Sequence, residues 1–223
     1  FDKAFKFAGD AILVIWPESG NRDSEILCRR AIQCGLEIQE KLKNNIAKLS
    51  VKIGVGIGDF KIAFVGGQFD RSEYLVIGEG MKQACESETH AKGGGETICS
   101  NDVYLLVKDF YEFKKCEGGG HGPSDPNDVY YNILSDKQQR VPTKADAFIM
   151  RTKFNPEKLR ENTVMLKRFV PAAITLHLDI DQEFWSKELR MISTMFLLLG
   201  VDLSHTETKE GMDRVQNIVK TIQ

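Results

Sequence analysis

The chain of 223 residues has only six prolines and two tryptophans, and its uninterrupted apolar runs are short. One of them, Met195–Leu199, is far shorter than the roughly 20 residues that a membrane-spanning helix needs. No charged segment followed by an apolar one opens the chain, as a signal peptide would. The sequence therefore predicts no membrane span. Because it starts at Phe1 and not at methionine, we expect it to be a segment of a longer protein.

Cysteine pairs are also lacking. The number of cysteines is odd, and none is part of a Cys-x-x-Cys motif: Cys28, Cys34, Cys85, Cys99 and Cys116. This pattern favours neither a disulfide framework nor a zinc site. It is typical of a protein in the reducing cytoplasm.

An excess of charge of one sign is absent as well. The formal net charge is −2 and the isoelectric point is about 6.2. Such a balance gives no general attraction to nucleic acid or to an anionic membrane. Any site for an anion must therefore be local.

The most informative stretch is an acidic residue directly after a glycine. Asp10 follows Gly9 and precedes the apolar run 11–16, which predicts a strand that is buried on both faces and ends at Pro17. A carboxylate at such a hairpin tip can leave the sheet and meet a ligand. A plain structural turn is the alternative, since Gly-Asp before a strand is common.

A helix is predicted to begin at Asp23 or Ser24, either of which can cap it. The predicted apolar stripe is Leu27, Ala31, Cys34, Ile38 and Leu42. On the opposite side, we expect Arg29, Arg30, Glu37 and Lys41 to face water.

Three glycines alternate within the next predicted strand, at Gly54, Gly56 and Gly58. They lie inside the strand and not between a strand and a helix, which argues against a dinucleotide-binding loop. Glycines in a strand more often mark the close approach of another backbone or a ligand. A second strand is predicted from Phe60 to Val65, joined to the first around Asp59.

Two further features follow along the chain, the Gly66-Gly67 turn and the segment 73–78 (Glu-Tyr-Leu-Val-Ile-Gly). Taken in order with segments 6–10, 11–16 and 51–58, they resemble the class III nucleotidyl cyclases, most closely the first cyclase domain of the soluble, bicarbonate-responsive adenylyl cyclases. The resemblance implies an α+β fold with a ferredoxin-like core, in which helices pack on a mixed sheet. It also implies a first cyclase domain over residues 1–134, a linker over 135–188 and the start of a second cyclase domain over 189–223.

The activity that this resemblance implies is the conversion of ATP to cyclic AMP and pyrophosphate, with two Mg²⁺ or Mn²⁺ ions. Asp10 matches one of the family's two metal-binding aspartates, and the other would lie upstream of Phe1. Lys52 matches the basic residue that the family directs at the triphosphate. The alternative is a solvated lysine at a strand edge without a functional role. Nothing in the chain matches the asparagine and arginine of the family's second domain, so we expect the segment alone to be inactive.

Soluble members of the family also bind bicarbonate in a second pocket. By resemblance, Lys6 would be its lysine and Val76 would supply backbone contacts. The position expected to hold arginine is Cys85. Losing a charged hydrogen-bond donor costs about 1.5–3 kcal/mol, which predicts a weak or absent bicarbonate response.

The implied partners are ATP and the second cyclase domain of the same chain, without nucleic acid or a membrane. A catalytically silent cyclase-like domain in a larger assembly is the alternative function. Location in a cilium or flagellum is implied by the resemblance alone. The choice between ATP and GTP stays open, because the residues that read the purine belong to the later part of the second domain.

Overall fold

The structure is a computed structural model, and it falls into two compact units. The first comprises Phe1–Phe60 and Gly78–Ile149, and the second comprises Lys61–Ile77 and Met150–Gln223. The residues that it describes are 3–8, 10–18, 23–44, 49–116, 129–137, 163, 165–170, 206 and 208–223. The sequence also predicts a strand at 189–196 and a helix cap at Ser204, and both lie outside the described residues.

Strands and helices alternate along the described chain. In order, they are β1 (Lys3–Ala8), β2 (Ala11–Ile15), α1 (Ser24–Lys43), β3 (Ile53–Val55), β4 (Lys61–Gly66), a 3₁₀ turn (Gln68–Asp70), β5 (Ser72–Ile77), α2 (Glu79–Thr89), β6 (Thr97–Ser100), α3 (Asn101–Val107), β7 (Tyr111–Lys115), β8 (Tyr130–Asp136) and α4 (Lys209–Ile222). None of the described helices combines the length and the apolar composition needed to cross a bilayer.

A four-stranded mixed sheet forms the centre of the first unit, with the strand order β3-β6-β8-β7. β3 runs parallel to β6, and both β6 and β7 run antiparallel to β8. The sequence also predicts a polar helix from about Gly80 to His90, a strand at 97–100, a short helix at 101–107 and a closing strand pair at 110–116 and 129–134, and all four are confirmed. The predicted α+β fold, with helices packed on a mixed sheet, is therefore confirmed.

The two faces of this sheet carry different helices because side chains alternate along each strand. Val55, Cys99 and Ile133 pack with α1 and α3 in the main core. Ile98 and Tyr130 point the other way and pack with Ala91, directly after α2. α1 and α3 thus cover one face and α2 covers the other.

The buried face of α1 differs from the predicted stripe. The cap is as expected, since the Asp23 carboxylate accepts a hydrogen bond from Glu25 N at 3.2 Å. The buried residues, however, are Leu27, Cys28, Ile32, Gln33, Gly35 and Gln39. Ile38 is 40% exposed. Leu27 is buried and Ala31 packs against the core as predicted, but the stripe was wrong at Ile38. The reason is that α1 places Gly35, not a large apolar residue, against Ile53 and Thr97.

Arg29 is a second difference on the same helix. It was expected to face water, but its guanidinium lies 3.8 Å from the centre of the Phe110 ring. The same group forms an ion pair with Glu25 at 3.3 Å. A guanidinium over an aromatic face is attracted by the ring quadrupole, so Arg29 helps to close the edge of the core.

The glycines of the β3 region let α2 approach the strand backbone directly. A Cβ on Gly54 would overlap the Ala84 carbonyl oxygen, and one on Gly56 would lie 2.5 Å from Ala84 N and 2.6 Å from Gly80 O. The predicted close approach is confirmed, and the neighbour is a helix backbone. The expected junction of two strands around Asp59 is different: β3 pairs with β6, whereas β4 pairs with β5.

β1 and β2 form a separate antiparallel hairpin in the first unit. Ala8 pairs with Ala11, so that Asp10 lies in the turn, as predicted. β2 was expected to be buried on both faces, but Ile12 is 57% exposed. The reason is that this hairpin shares no ladder with the four-stranded sheet in the described part of the chain.

The second unit is built on the β4–β5 hairpin. The Gln216 side chain of α4 accepts a hydrogen bond from Gly66 N at 2.9 Å and donates one to Gly66 O at 2.8 Å. Near the hairpin, Phe169 makes edge contacts with Phe64 and Tyr74. α4 is capped by the Thr208 hydroxyl, which accepts from the Gly211 amide. Helix and hairpin thus form one packed element.

The close contact between α2 and β3 predicts that Gly56→Ala destabilises the fold. A Cβ against two backbone atoms of α2 forces the helix away from the strand, which should cost roughly 1–3 kcal/mol of unfolding free energy. Gly93→Ala is the matched control, because its Cβ would meet nothing within 4 Å. Urea denaturation measures both. Equal stability of the two variants would show that the packing does not depend on Gly56.

Candidate functional site

Asp10 is presented on the surface of the first unit. It occupies the turn between β1 and β2, and its side chain is exposed. No described residue forms an ion pair or hydrogen bond with it. A carboxylate in this position keeps its lone pairs available for a ligand.

Lys52 is also exposed, one residue before β3. Its neighbours in the chain are held by backbone hydrogen bonds. Val51 O accepts from Gly95 N at 2.8 Å, and Ile53 N donates to Glu96 O at 3.1 Å. The lysine side chain itself forms no ion pair with any residue that the structure describes. The backbone on either side of Lys52 is therefore held in place, and the lysine ammonium has no described ion-pair partner.

Asp10 and Lys52 belong to the same compact unit. No hydrogen bond or ion pair between described residues joins the two side chains. Among the described residues there is also no group of three or more His, Cys, Asp or Glu side chains that could hold a metal ion. Asp10 can therefore supply one carboxylate, which is compatible with Mg²⁺ when substrate phosphates and water complete its shell.

The residues predicted for the anion pocket are placed as follows. Lys6 lies in β1, paired with Leu13, and Val76 lies half-buried in β5, paired with Ile62. Val76 belongs to the second unit, whereas Lys6 and Cys85 belong to the first. Lys6 and Cys85 are thus described within one unit, and Val76 is described within the other.

Cys85 has an acidic neighbourhood on α2. Desolvation of its thiol, followed by the negative charges of Glu88 and Glu86, raises its pKa. Charges that disfavour a thiolate also disfavour any other anion at the same place. Cys85 is therefore less suited to binding bicarbonate than an arginine would be at the same position.

Two further cysteines are structural. Cys28 and Cys99 are buried in the main core. Burial raises the pKa of Cys28 to about 12, and burial is also the main reason that the pKa of Cys99 is raised. Both thiols stay protonated at neutral pH. This agrees with the expectation from the sequence that Cys28 is a helix residue without redox chemistry.

A buried glutamine organises the segment after β3. Gln83 Oε1 accepts hydrogen bonds from Ile57 N at 3.2 Å and Ser100 Oγ at 2.8 Å. Its Nε2 donates to Asp102 at 2.8 Å and to Glu79 at 3.4 Å. The sequence interpretation missed this residue, because it was considered only part of a polar helical stretch.

Gln39 is a second buried glutamine that the sequence interpretation missed. Its Nε2 donates to Val51 O at 3.0 Å and to Glu96 O at 3.1 Å. The spacing gave no signal, because the apolar stripe predicted for α1 did not include the buried face on which Gln39 follows Gly35 by one helical turn. A polar side chain on such a face usually has a specific partner.

A cavity of about 90 Å³ lies between α1 and the end of β8. Its lining residues are Gln33, Leu36, Glu37, Glu40 and Asp136. The three carboxylates would repel a triphosphate. It contains neither Asp10 nor Lys52, so this cavity does not correspond to the predicted site.

Comparison with known proteins identifies the fold. The adenylyl cyclase CyaB from P. aeruginosa is similar to this chain with a TM-score of 0.50 and 20% identity, over 61% of this chain and 72% of that one. The guanylyl cyclase Cya2 gives a TM-score of 0.46 and 22% identity, over 62% and 71%. The guanylate cyclase domain of RhGC from Catenaria anguillulae, in complex with GTP, gives 0.43 and 18%, over 59% and 71%.

The chain thus has the fold of a nucleotidyl cyclase domain, an inference that rests on the first of these similarities. At this level of identity the similarity extends to the fold alone. No protein-family model matches the chain, and no curated protein matches its sequence. The chemistry has to be argued from the site residues.

The burial of Cys28 predicts that alkylation will separate the thiols. A pKa raised from 9.0 to about 12 lowers the thiolate fraction about a thousandfold at mildly alkaline pH, and burial blocks access as well. Iodoacetamide should therefore modify Cys85 well before Cys28 in the folded protein, and both equally in denaturant. Peptide mass spectrometry follows the reaction. Equal rates in the folded state would contradict the burial of Cys28.

Proposed function

We propose that this chain is part of a nucleotidyl cyclase that converts ATP to cyclic AMP and pyrophosphate for signalling. The observation that carries the proposal is the cyclase-domain fold with a carboxylate, Asp10, that is exposed in its hairpin turn and has no partner among the described residues. Lys52 adds an exposed cation in the same unit, without an ion pair to any residue in the described part of the chain. In this proposal Asp10 is a catalytic residue that binds metal, and Lys52 is a catalytic residue that binds the triphosphate.

The reaction needs a nucleophile and a stabilised leaving group. The ribose 3′ oxygen bonds to the α-phosphorus, the bond from that phosphorus to the β-phosphate oxygen breaks, and the 3′ hydroxyl loses its proton. Two divalent ions, when bound, lower the cost of both changes by neutralising the oxygens involved. Asp10 would hold such ions through its carboxylate. Lys52 would hold the negative charge that gathers on the departing pyrophosphate.

The second unit supports a role for two cyclase domains. Its hairpin, β4–β5, comes from the proposed first domain (1–134), and α4 comes from the proposed second domain (189–223). The paired hydrogen bonds between Gln216 and Gly66 join them. In this proposal the linker (135–188) connects the domains, and the active site forms at their interface.

A catalytically silent cyclase-like domain is the second candidate. The acidic neighbourhood of Cys85 favours it, because a position that the resemblance assigns to a regulatory arginine carries no cation here. Such a domain would act as a scaffold or a regulatory subunit. The host would be a larger assembly, which the resemblance suggests to be ciliary.

Activity of the complete protein separates the two candidates. With Mg²⁺ or Mn²⁺ and ATP, the enzyme should form cyclic AMP, and Asp10→Ala should lower kcat by at least about a hundredfold because a metal ligand is lost. Lys52→Ala should weaken ATP binding about tenfold to a hundredfold. Chromatography of the nucleotide products measures both, with GTP assayed in parallel.

Asp109→Ala and Lys108→Ala are the matched controls, since both residues are exposed in the turn after α3. Neither control should change the rate. Absence of any turnover with either metal and either nucleotide would support the silent domain. Turnover that is indifferent to Asp10→Ala would refute the assignment of this carboxylate.

Bicarbonate provides a prediction about regulation. Because Cys85 replaces the expected arginine, the complete protein should respond weakly or not at all. Cys85→Arg restores a charged donor and should increase bicarbonate affinity roughly tenfold or more, whereas Cys85→Ser should not. Cyclic AMP formation is titrated with bicarbonate. Strong stimulation of the unmodified protein that persists after Lys6→Ala would remove the basis for this pocket.

A further inference from the structure

We infer that Gln39 is a positioning residue for Lys52. The inference deepens the proposed function, since it rests on the proposed contact between Lys52 and a triphosphate. Gln39 lies on α1, thirteen residues before Lys52. No described contact joins the side chains of Gln39 and Lys52. Gln39 would act through the backbone on either side of Lys52.

The orientation of the Gln39 amide follows from its partners. Both of them, Val51 O and Glu96 O, are carbonyl oxygens and can only accept hydrogen bonds. The nitrogen must therefore face them, and it donates both of its hydrogens. Gln39 is only 5% exposed, and its two bonds lie in a partly buried environment.

These two carbonyl groups control the two peptide planes that meet at Lys52. Val51 O belongs to the peptide unit before Lys52, and Gln39 binds it directly. The peptide unit after Lys52 ends in Ile53 N, which donates to Glu96 O, the second carbonyl that Gln39 binds. Because peptide units are planar, fixing both units fixes φ and ψ of Lys52 and hence the direction of its Cα–Cβ bond.

A lysine needs such support more than most residues. Its ammonium is a point charge on a flexible four-carbon stem, so the backbone direction is the main restraint on where the charge can reach. Lys52 has no partner among the described residues that would hold it in the absence of a ligand. The Gln39 amide thus supplies the pre-organisation that the lysine side chain lacks.

A purely structural role for Gln39 is the competing explanation. In that case its two bonds would only join α1 to the start of β3. Loss of Gln39 would then lower stability and affect nucleotide binding independently of Lys52. A double-mutant cycle distinguishes the two explanations, because a residue that acts through Lys52 has no effect once Lys52 is removed.

The experiment measures binding to the complete protein by titration calorimetry. The probes are ATP with Mg²⁺ and, separately, inorganic tripolyphosphate. Gln39→Met keeps the length of the side chain and removes both donors, and it should weaken binding of each probe about threefold to tenfold. In a Lys52→Ala background, the same substitution should leave binding unchanged.

Gln33→Met is the matched control. Gln33 lies on the same helix and is 9% exposed, but its amide donates to the Glu37 side chain and not to the backbone near Lys52. It should leave the binding of both probes unchanged. Thermal unfolding is recorded for each variant. If Gln39→Met does not fold, Gln39→Asn replaces it in the cycle, because this shorter amide cannot reach both carbonyls.

The outcomes separate this inference from the proposed function. If Lys52→Ala weakens binding and the Gln39 substitution is equally harmful with and without Lys52, the inference is overturned and the proposed function stands. If Lys52→Ala leaves both probes unaffected, the proposed role of Lys52 fails, and the inference fails with it. A Gln39 effect that disappears in the Lys52→Ala background supports both.

Discussion

The packing of the α2 backbone against β3 is the constraint on which the first unit depends. It is possible because Gly54 and Gly56 present no side chains on that face of the strand. The opposite face of β3 carries Ile53 and Val55, which pack with α1. A strand of only three residues is thereby fixed between two helices. Lys52 directly precedes that strand, so the backbone at the proposed phosphate contact is held in place by the same packing.

The two proposed site residues have different kinds of support. Asp10 is placed by a hairpin turn, and its strands form a ladder only with each other in the described part of the chain. Lys52 is placed by a network of buried hydrogen bonds that includes Gln39 and Glu96. A hairpin turn can adjust to a bound cation, whereas a lysine on a fixed backbone would restrict where the proposed phosphate contact can form. This division suits a site that must hold both a metal and a triphosphate.

The α+β fold class was implied by the resemblance to the cyclases, whereas individual elements were predicted from local patterns. The helix at 101–107 and the position of Asp10 in a turn followed from apolar spacing and turn residues. The buried face of α1 could not be predicted in this way, because its inward positions are set by tertiary contacts. Gln39 and Gln83 were missed for a related reason: their partners are backbone groups and side chains distant in the chain, which no local pattern reveals.

The central claim is that Asp10 and Lys52 act on one nucleotide. An experimental structure of the complete protein with a non-cyclisable ATP analogue and a divalent cation tests it most directly. In such a structure we expect the Asp10 carboxylate on the cation and Lys52 Nζ within hydrogen-bonding distance of a triphosphate oxygen. A nucleotide bound away from both side chains, or in contact with only one of them, would contradict it.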